Sequence, residues 1–273
     1  MTTLAEALLY SGLMLIDARV LLRSVLKVND AYLIAHDGDA LDAQHEAQFV
    51  TLVARRSAGE PVAYIVGERE FFDHVFKVTP AVLIPRPETE LLVECALERL
   101  SLDKPGRVLD LGTGSGCIAI SIALARPMAQ VTAIDHSATA LEVVRENAAL
   151  LTARNVTVRA SDWFDAVGDS RFDLIVSNPP YVAAGDAHLS QGDLRFEPAA
   201  ALAAGADGLA DISIIAAGAH NHLVPGGWLL FEHGYDQSLR CRELLLRAGF
   251  GEVQSWTDLA GMQRVSGGRA SPL

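Results

Sequence analysis

The first part of the chain has apolar residues at helical spacing. From Leu4 to about Ala58 they recur as in "DARVLLRSVLKV" and "AQHEAQFVTLVARRSAG", a pattern typical of amphipathic helices that share a core. The polar stretch "GDALDAQ" offers a helix start between these segments. The pattern predicts a small helical domain over residues 1–67.

The next stretch, "YIVGEREFFDHVFKVTPAVLIPRPETE", is dominated by strand-forming residues. Prolines at positions 80, 85 and 87 interrupt it, so we expect a β-hairpin connector over residues 68–84. Helical spacing returns in "PETELLVECALERL", where Pro87 stands near the first turn and glutamates follow it. Helix N-termini favour both features.

After Pro105, segments typical of strands and helices alternate. The predicted strands are "RVLDLG", "AQVTAID", "VTVRASD", "FDLIVSN" and "GWLLFEH", with two further candidates at the end, "GEVQSWTD" and "QRVSGG". The predicted helices begin at about Gly116 and run across "SATALEVVRENAALL", "GADGLADISIIAAGAHNHL" and "SLRCRELLLRAG". This alternation predicts an α/β fold with a doubly wound, mostly parallel sheet over residues 85–273. Ligands of such sheets bind at the carboxyl ends of the strands.

Composition narrows the class of protein. Half of the 273 residues are hydrophobic, yet no apolar run approaches the roughly 18 residues that a membrane-spanning helix needs. The start, "MTTLAEALLYSG", lacks a basic leader, so we expect no secretory signal and no membrane partner. The cysteines, Cys95, Cys117 and Cys241, lie far apart, which suits a reducing cytoplasm.

The net charge bears on nucleic-acid binding, and the spacing of the histidines bears on metal binding. The formal net charge of −12 disfavours unassisted binding to nucleic acid, which depends on lysine and arginine neutralising phosphates. His220 and His222 are the closest histidine pair, but no thiol or carboxylate stands near them in the sequence. We therefore expect no metal site and no direct nucleic-acid partner.

A glycine-rich turn, "DLGTGSGCIAI", follows the first strand of the predicted sheet. Its residues Gly112 to Gly116, with Thr113 and Ser115 between the glycines, allow a tight turn and a close approach of the backbone to a ligand. Asp135 ends the next strand, where its carboxylate can accept hydrogen bonds from both hydroxyls of a ribose. Together they predict a nucleoside cofactor, either a dinucleotide or S-adenosylmethionine.

The strand "FDLIVSN" favours the second cofactor, because it runs into Asn178-Pro179-Pro180-Tyr181. A dehydrogenase would be expected to carry a catalytic Tyr-Lys or His-Asp pair near the nicotinamide. Two consecutive prolines make a stiff, extended turn. It can direct two acceptors, the Asn178 side-chain oxygen and the Pro179 carbonyl, at the two hydrogens of a planar NH₂ group, with Tyr181 against its flat face.

A planar nitrogen of this kind is a poor nucleophile, because its lone pair is delocalised. Holding it in line with an electrophilic methyl group can supply up to about 7–11 kcal/mol of the barrier reduction. The motif therefore predicts methyl transfer with Asn178, Pro179 and Tyr181 as catalytic residues and Asn178 to Tyr181 as substrate-binding residues. It fits adenine N6, cytosine N4 and glutamine side-chain amides alike.

The combination of "PVAYIVGEREF", "VLIPRPETE", "DLGTGSGCIAI", "SDWFD", "FDLIVSNPPYV", "LRFEPAAAL" and "DLAGMQRV" resembles the release-factor glutamine methyltransferases over nearly the whole chain. These enzymes use S-adenosylmethionine to methylate the glutamine of the Gly-Gly-Gln motif in class I peptide-chain release factors. The resemblance implies a Rossmann-like class I methyltransferase domain, and a front domain that recognises the release factor. It also implies that S-adenosyl-L-homocysteine is the product.

The resemblance also assigns roles. It implies that Gly112 to Gly116 form the cofactor loop, that Asp135 binds the ribose, that Asp162 and Trp163 flank the adenine, and that Asn178 contacts cofactor and substrate. For Arg86, Glu88 and Glu197 a structural ion pair or helix cap is at least as good an expectation as substrate contact. His136 and Asp73 depart from the residues usual in the family.

Two alternatives remain open at this stage. One is adenine N6 methylation of a nucleic acid, which the negative charge disfavours. The other is a non-catalytic adaptor that keeps the cofactor fold and binds a translation partner. An intact Asn178 and glycine loop argue against the adaptor.

Overall fold

The computed structural model describes residues 2–271. They form two compact units. One comprises the residues up to 68 together with Gly192–Phe196, and the other comprises residues 69–191 and those from 197 onward. The sheet and the predicted cofactor loop lie in the second, larger unit.

The smaller unit is helical, as the spacing of apolar residues predicts. Its helices are α1 (Leu4–Tyr10), α2 (Leu15–Leu26), α3 (Asp30–Ala35), α4 (Ala43–Ser57) and α5 (Val62–Val66). Side chains of Thr3, Asn29 and Asp42 cap α1, α3 and α4 by accepting backbone N–H groups at the helix starts. Leu21 and Leu22 of α2 are completely buried in the core of this unit.

Helix α5 lies within the predicted helical domain, although its last three residues, Tyr64, Ile65 and Val66, belong to the stretch in which strand formers dominate. Pro61 precedes the helix and Gly67 ends it with φ of 81°, donating its N–H to Ala63. A proline at the start and a left-handed glycine after the end are strong helix boundaries. Tyr64 and Ile65 are thereby buried in a helix despite their strand propensity.

The hairpin consists of β1 (Glu68–Phe71) and β2 (His74–Lys77). The turn between them has positive φ at Phe72 and Asp73, the geometry that matches the twist of two-residue hairpins. Phe71 and Phe76 are buried in a core that they share with the large sheet. The Lys77 N–H also donates to Asn147 Oδ1 at 2.8 Å. The hairpin is thus part of the packing of the larger unit.

The larger unit contains a sheet of β3 (Gly106–Leu111), β4 (Ala129–Asp135), β5 (Val156–Ala160), β6 (Phe172–Ser177), β7 (Leu223–Glu232), β8 (Phe250–Thr257) and β9 (Gln263–Ala270). The strand order is β5-β4-β3-β6-β7-β9-β8. Strands β3 to β7 pair in parallel, whereas β9 is antiparallel to both β7 and β8. The predicted doubly wound, mostly parallel sheet is confirmed.

Helices cover both faces of this sheet. They are α6 (Glu90–Arg99), α7 (Cys117–Ala125), α8 (Ala138–Leu150), α9 (Ala210–Ala219) and α10 (Ser238–Arg247). Residues of α6 to α8 share one buried cluster and residues of α9 and α10 another. Val108 and Leu109, neighbours on β3, belong to opposite clusters, because successive strand residues face opposite sides.

Two element boundaries differ from the expectation. The helix predicted across residues 205–223 is confined to α9, and β7 begins before Gly227, so that it includes Pro225. At that end of β7 the register with β6 is irregular. Proline is tolerated in sheets at such irregularities.

The strand order defines where a ligand can bind. The chain goes from β3 to β4 and β5 on one side and then returns to β6 on the other side of β3. In open α/β sheets the crevice forms at this reversal, outside the carboxyl ends of the strands. None of the helices in the described range has the length and apolar character needed to cross a membrane.

Candidate active site

A cavity of approximately 570 Å³ opens at the carboxyl ends of β3, β4 and β6. Its volume lies in the ~300–1,000 Å³ range of small-molecule sites. The lining includes residues predicted from the sequence, namely Gly112, Thr113, Gly114, Ser115, Asp135, Asp162, Trp163, Asn178 and Pro180. Most of the predicted site residues therefore meet in one place.

The glycine loop has positive φ at Gly112, Gly114 and Gly116, a conformation that side chains disfavour. A Cβ on Gly112 would lie 3.6 Å from the Trp163 ring, and one on Gly114 would have no neighbour within 4 Å. A Cβ on Gly116, in contrast, would lie 2.3 Å from Val144 Cγ2 of α8. Gly116 is not among the described residues that line the cavity. The need for glycine at this position is explained by the close packing of helix α8.

Asp135 is held at the end of β4 by two backbone groups. Its Oδ2 accepts the Gly114 N–H at 3.0 Å and its Oδ1 accepts the Ser137 N–H at 2.9 Å. The residue is only 8% exposed and lines the cavity. Because each carboxylate oxygen accepts more than one hydrogen bond, both can also receive ligand hydroxyls.

Asp162 and Trp163 follow β5 in a turn stabilised by Ser161. The Ser161 hydroxyl donates to the Trp163 carbonyl at 2.8 Å and accepts the Ala166 N–H at 2.9 Å. The backbone of Trp163 adopts a left-handed conformation, with φ of 41°. Its ring lies next to Gly112 in the cavity lining, 3.6 Å from where a Cβ of Gly112 would stand.

Asp211, at the start of α9, lines the same part of the cavity but was not predicted from the sequence. Burial raises the pKa of its carboxyl, and the negative charge of Asp162 raises it further. The charge of Asp162 therefore acts on a second carboxyl group in the lining of the cavity. Only the position of Asp211 on the first turn of a helix after a glycine-rich loop could have indicated it.

Asn178 stands directly after β6, and the end of this strand is fixed to β3. The Ser177 hydroxyl donates to the Leu111 carbonyl at 2.8 Å. Asn178 Nδ2 donates to the Thr89 hydroxyl at 3.2 Å. Thr89 is 2% exposed and also lines the cavity, although sequence reasoning gave it no role.

Pro179 and Tyr181 are not among the described cavity-lining residues. The Tyr181 hydroxyl donates to Glu232 Oε1 at 3.1 Å, and burial raises its pKa above the ordinary range. Its carbonyl accepts Gln237 Nε2 at 2.9 Å. A Cβ on Gly208, which has φ of 74°, would lie 2.2 Å from this carbonyl oxygen. The last residue of the NPPY motif is therefore fixed by contacts outside the described cavity lining.

Glu232 is the partner of Tyr181 that sequence reasoning missed. It is 1% exposed at the carboxyl end of β7. Burial raises the pKa of its carboxyl, while hydrogen bonding from the Thr89 and Tyr181 side chains lowers it. The signal that could have found Glu232 is the one that found Asp135, an acidic residue at the end of a parallel strand.

Arg86 and Glu197 form an ion pair, one of the two expectations for these residues. Glu197 is 6% exposed, and besides the Arg86 guanidinium it accepts the Ile84 N–H at 3.1 Å. Arg86 lines the cavity, as do Pro198, Ala200 and Ala201 from the segment after Glu197. Glu88 is exposed on a 3₁₀ turn at Pro87–Thr89.

Asp110 lies beneath the glycine loop and is completely buried. Its Oδ2 accepts the Thr113 hydroxyl at 2.6 Å. Burial raises the pKa of Asp110 to about 7, against the opposing effect of the Thr113 hydrogen bond. The loop therefore rests on a carboxyl group that is partly protonated near neutral pH.

The donor set fits a nucleoside cofactor. The open space at Gly114, the carboxylate of Asp135 and the indole of Trp163 offer backbone contact, hydroxyl recognition and a flat apolar surface in one cavity. Within residues 2–271, no group of three or more histidine, cysteine or acidic side chains is placed to hold a metal ion. The arrangement suits group transfer by positioning.

Comparisons with known proteins show which family the chain is similar to. Residues 6–67 match the family model of the PrmC N-terminal domain, and residues 87–205 match the methyltransferase small domain. Proteins named release factor glutamine methyltransferase from Bordetella pertussis and Burkholderia pseudomallei are 54% and 50% identical to this chain. Each alignment covers 98% of this chain, and 99% and 96% of the relative.

Solved structures agree on the fold. A methyltransferase from Pyrococcus furiosus has a TM-score of 0.55 at 19% identity, covering 80% of this chain and 97% of that chain. A T. thermophilus 16S rRNA methyltransferase, solved with AdoMet and guanosine, has a TM-score of 0.51 at 22% identity, covering 74% and 49%. The predicted Rossmann-like methyltransferase fold is confirmed, and with near full-length relatives at this identity the chain belongs to the release factor glutamine methyltransferase family.

Proposed function

We propose that this protein transfers a methyl group from S-adenosylmethionine to the side-chain amide nitrogen (N5) of the glutamine in the Gly-Gly-Gln motif of class I peptide-chain release factors. The observation that carries this proposal is that Asp135 and the glycine loop line the same cavity as Asn178 and Pro180. A cofactor bound to Asp135 and the glycine loop would lie beside a methyl acceptor bound to Asn178 and Pro180. The consequence in the cell is modulation of translation termination.

The cofactor half of the cavity is assigned to Gly112 to Ser115, Asp135, Asp162 and Trp163. Asp135 accepts the ribose hydroxyls, and Asp162 and Trp163 flank the adenine. When bound, S-adenosylmethionine supplies an electrophilic methyl group on a positively charged sulfur and leaves as S-adenosyl-L-homocysteine. Gly116 acts on the loop through its packing against α8.

The substrate half is assigned to the NPPY motif. Asn178 Oδ1 and the Pro179 carbonyl accept the two N–H groups of the glutamine amide and hold its nitrogen in line for attack. Tyr181, whose hydroxyl is engaged by Glu232, fixes the turn and places its ring against the flat face of the substrate amide. No strong base is needed before transfer, because the amide nitrogen releases its proton afterwards.

We assign substrate recognition beyond the glutamine to residues 1–67, with residues 68–84 as connector and 85–273 as the methyltransferase domain. A loop rich in glycine suits a narrow cavity, since residues without side chains can enter it. We also propose that the protein acts in the cytoplasm, where release factors work. The relatives named above support this assignment of partner.

The test is mass spectrometry of an unmethylated class I release factor after incubation with the protein and S-adenosylmethionine. DNA and tRNA are incubated in parallel. A gain of one methyl group on the Gly-Gly-Gln glutamine is the expected result. A methyl group found only on a nucleic acid would replace the proposal by adenine methylation. If neither the release factor nor a nucleic acid gained a methyl group, the proposed activity would be refuted and only binding of the cofactor would remain to be measured.

A further inference from the structure

We propose that Thr89 is a positioning residue, which fixes the side-chain amide of Asn178 so that its oxygen, and not its NH₂ group, faces the methyl acceptor. The inference rests on the function proposed above. It concerns a residue outside the NPPY motif, and it explains how the "PRPET" and "NPPY" segments cooperate. The two segments meet at the hydrogen bond between Asn178 Nδ2 and Thr89 Oγ1, 3.2 Å long.

The orientation of this amide decides whether the site can work. An asparagine side chain has one acceptor and one double donor, nearly equal in shape. The substrate amide presents two N–H donors, so only the Asn178 oxygen can pair with it. A flipped Asn178 would set its own NH₂ group against that of the substrate, and both donors would be left without a partner.

Thr89 can impose the working orientation only if its hydroxyl acts as an acceptor toward Asn178. A hydroxyl has one proton to donate, and we assign that proton to the nearby Glu232 carboxyl, whose buried Oε2 has no hydrogen-bond partner among the described residues. Hydrogen bonding from the Thr89 side chain lowers the pKa of the buried Glu232 carboxyl. With its proton directed at Glu232, the Thr89 oxygen accepts the Nδ2 hydrogen of Asn178.

The same carboxyl also holds the other end of the motif, because Glu232 Oε1 accepts the Tyr181 hydroxyl at 3.1 Å. Glu232 is thus bonded to Tyr181 directly, and the Thr89 proton that we assign to it connects it to Asn178. All four side chains belong to the larger unit: Asn178 and Tyr181 follow β6, Glu232 ends β7 and Thr89 precedes α6. A single buried acceptor sets the geometry at both ends of NPPY.

The local structure shows that the Thr89 hydroxyl is not used in the way usual for this position. Thr89 is the N-cap of α6, yet its side chain makes no capping hydrogen bond. Its N–H donates to the Arg86 carbonyl at 3.1 Å within the 3₁₀ turn. The turn that begins at Pro87 therefore turns the hydroxyl away from the helix end and toward Asn178.

The test compares Thr89→Val, which keeps the shape and removes the hydroxyl, with Thr89→Ser, which keeps the hydroxyl. Methyl transfer to the release factor is followed by mass spectrometry under single-turnover conditions, and S-adenosylmethionine affinity by calorimetry. We expect Thr89→Val to lower the single-turnover rate constant roughly tenfold to a hundredfold, with cofactor affinity changed less than threefold, and Thr89→Ser to restore most of the rate. Thr132→Val, half-buried on β4 and outside the cavity lining, is the matched control.

A double-mutant cycle separates positioning from a general structural role. If Thr89 acts through Asn178, Thr89→Val should have almost no further effect in an Asn178→Ala background. An equal loss in both backgrounds, or equal rates for the valine and serine variants, would overturn the inference.

A second measurement needs no methyl acceptor, and so it decides the inference even if the release factor is not the substrate. In protein with ¹⁵N-labelled asparagine, the Asn178 side-chain NH₂ signal, identified by its loss in Asn178→Ala, reports its hydrogen bond. We expect slow hydrogen exchange of this group in the wild type and Thr89→Ser, and exchange at least tenfold faster in Thr89→Val. Unchanged exchange in the valine variant would refute the role of Thr89, whereas absence of methyl transfer by the wild type would refute the proposed function.

Discussion

Asp135 Oδ2 accepts the backbone N–H of Gly114 at 3.0 Å, which ties the carboxyl end of β4 to the middle of the glycine loop. Two parts of the cofactor half that are separate in the sequence are therefore one hydrogen-bonded structure. The carboxylate has a structural role before any ligand arrives, and its remaining lone pairs face the cavity.

Replacing Asp135 with alanine should weaken S-adenosylmethionine binding by roughly tenfold to ten-thousandfold. The estimate corresponds to the loss of one or two hydrogen bonds to a charged group, each worth about 1.5–3 kcal/mol. Isothermal titration calorimetry with the cofactor measures the effect. Asp169→Ala, at an exposed position outside the cavity lining, should bind like the wild type. Equal affinity of the Asp135 variant and the wild type would remove Asp135 from the cofactor site.

Replacing Asn178 with alanine should leave cofactor affinity nearly intact and lower kcat for release-factor methylation by about a hundredfold to a thousandfold, as removal of one preorganised hydrogen-bonding group does. The acceptor for the substrate NH₂ group is lost, whereas Asp135 and the glycine loop are untouched. Steady-state methylation with calorimetry on the same preparation separates the two effects. If affinity and turnover fell together by the same factor, Asn178 would have a structural role in the cavity.

Gly116 and Gly114 should respond differently to alanine. A Cβ at Gly116 would lie 2.3 Å from Val144 Cγ2, so Gly116→Ala should destabilise the fold by about 2–4 kcal/mol through overpacking and a strained backbone. At Gly114 the Cβ has open space, and the cost should be limited to the backbone, about 1–2 kcal/mol. Urea unfolding without ligand gives both values. Equal destabilisation by the two variants would contradict the packing role of Gly116.

Asp110 should make stability depend on pH. Folding raises its pKa from 3.8 to about 7, so between these values the folded protein keeps a proton that the unfolded chain has released. Stability is lost as pH rises from about 4 to about 7, by at most about 4 kcal/mol from this group. In Asp110→Asn, which can still accept from Thr113, this loss should disappear. Urea unfolding at pH 5 and pH 7.5 should show a difference between variant and wild type that grows with pH, and a constant difference would exclude the titration of Asp110.

Much of the fold could be predicted because strand and helix patterns alternate clearly after Pro105. The positions of β3, β4 and β6 followed from short apolar runs that end in glycine, aspartate or asparagine. Helix α5 could not be predicted from propensity, since its boundaries are set by Pro61 and Gly67 and its residues favour strands. The antiparallel pairing of β9 with β7 depends on tertiary packing, which no local pattern records.

The residues of the candidate site also fall into those that the sequence predicts and those that it does not. Residues that directly follow strands, such as Asp135 and Asn178, are visible because the carboxyl ends of parallel strands meet at one edge of the sheet. Thr89 was hidden, since its importance comes from a contact with a residue 89 positions away. Glu232, in "LLFEH", carries the same signal as Asp135, an acidic residue at the end of a strand, but nothing local in the sequence connects it with Tyr181.

Gly208 and Gln237 lie outside the described cavity lining, yet Gln237 donates to the carbonyl of Tyr181 and the absence of a side chain at Gly208 leaves room for that carbonyl. Any side chain at position 208 would have to displace the end of the turn that presents Asn178 and Pro179. In a library of random variants selected for methyl transfer, inactive clones should therefore accumulate at Gly208 as well as in the motif itself. The tolerance of this enzyme to evolutionary change is thus narrow at a position with no role in chemistry.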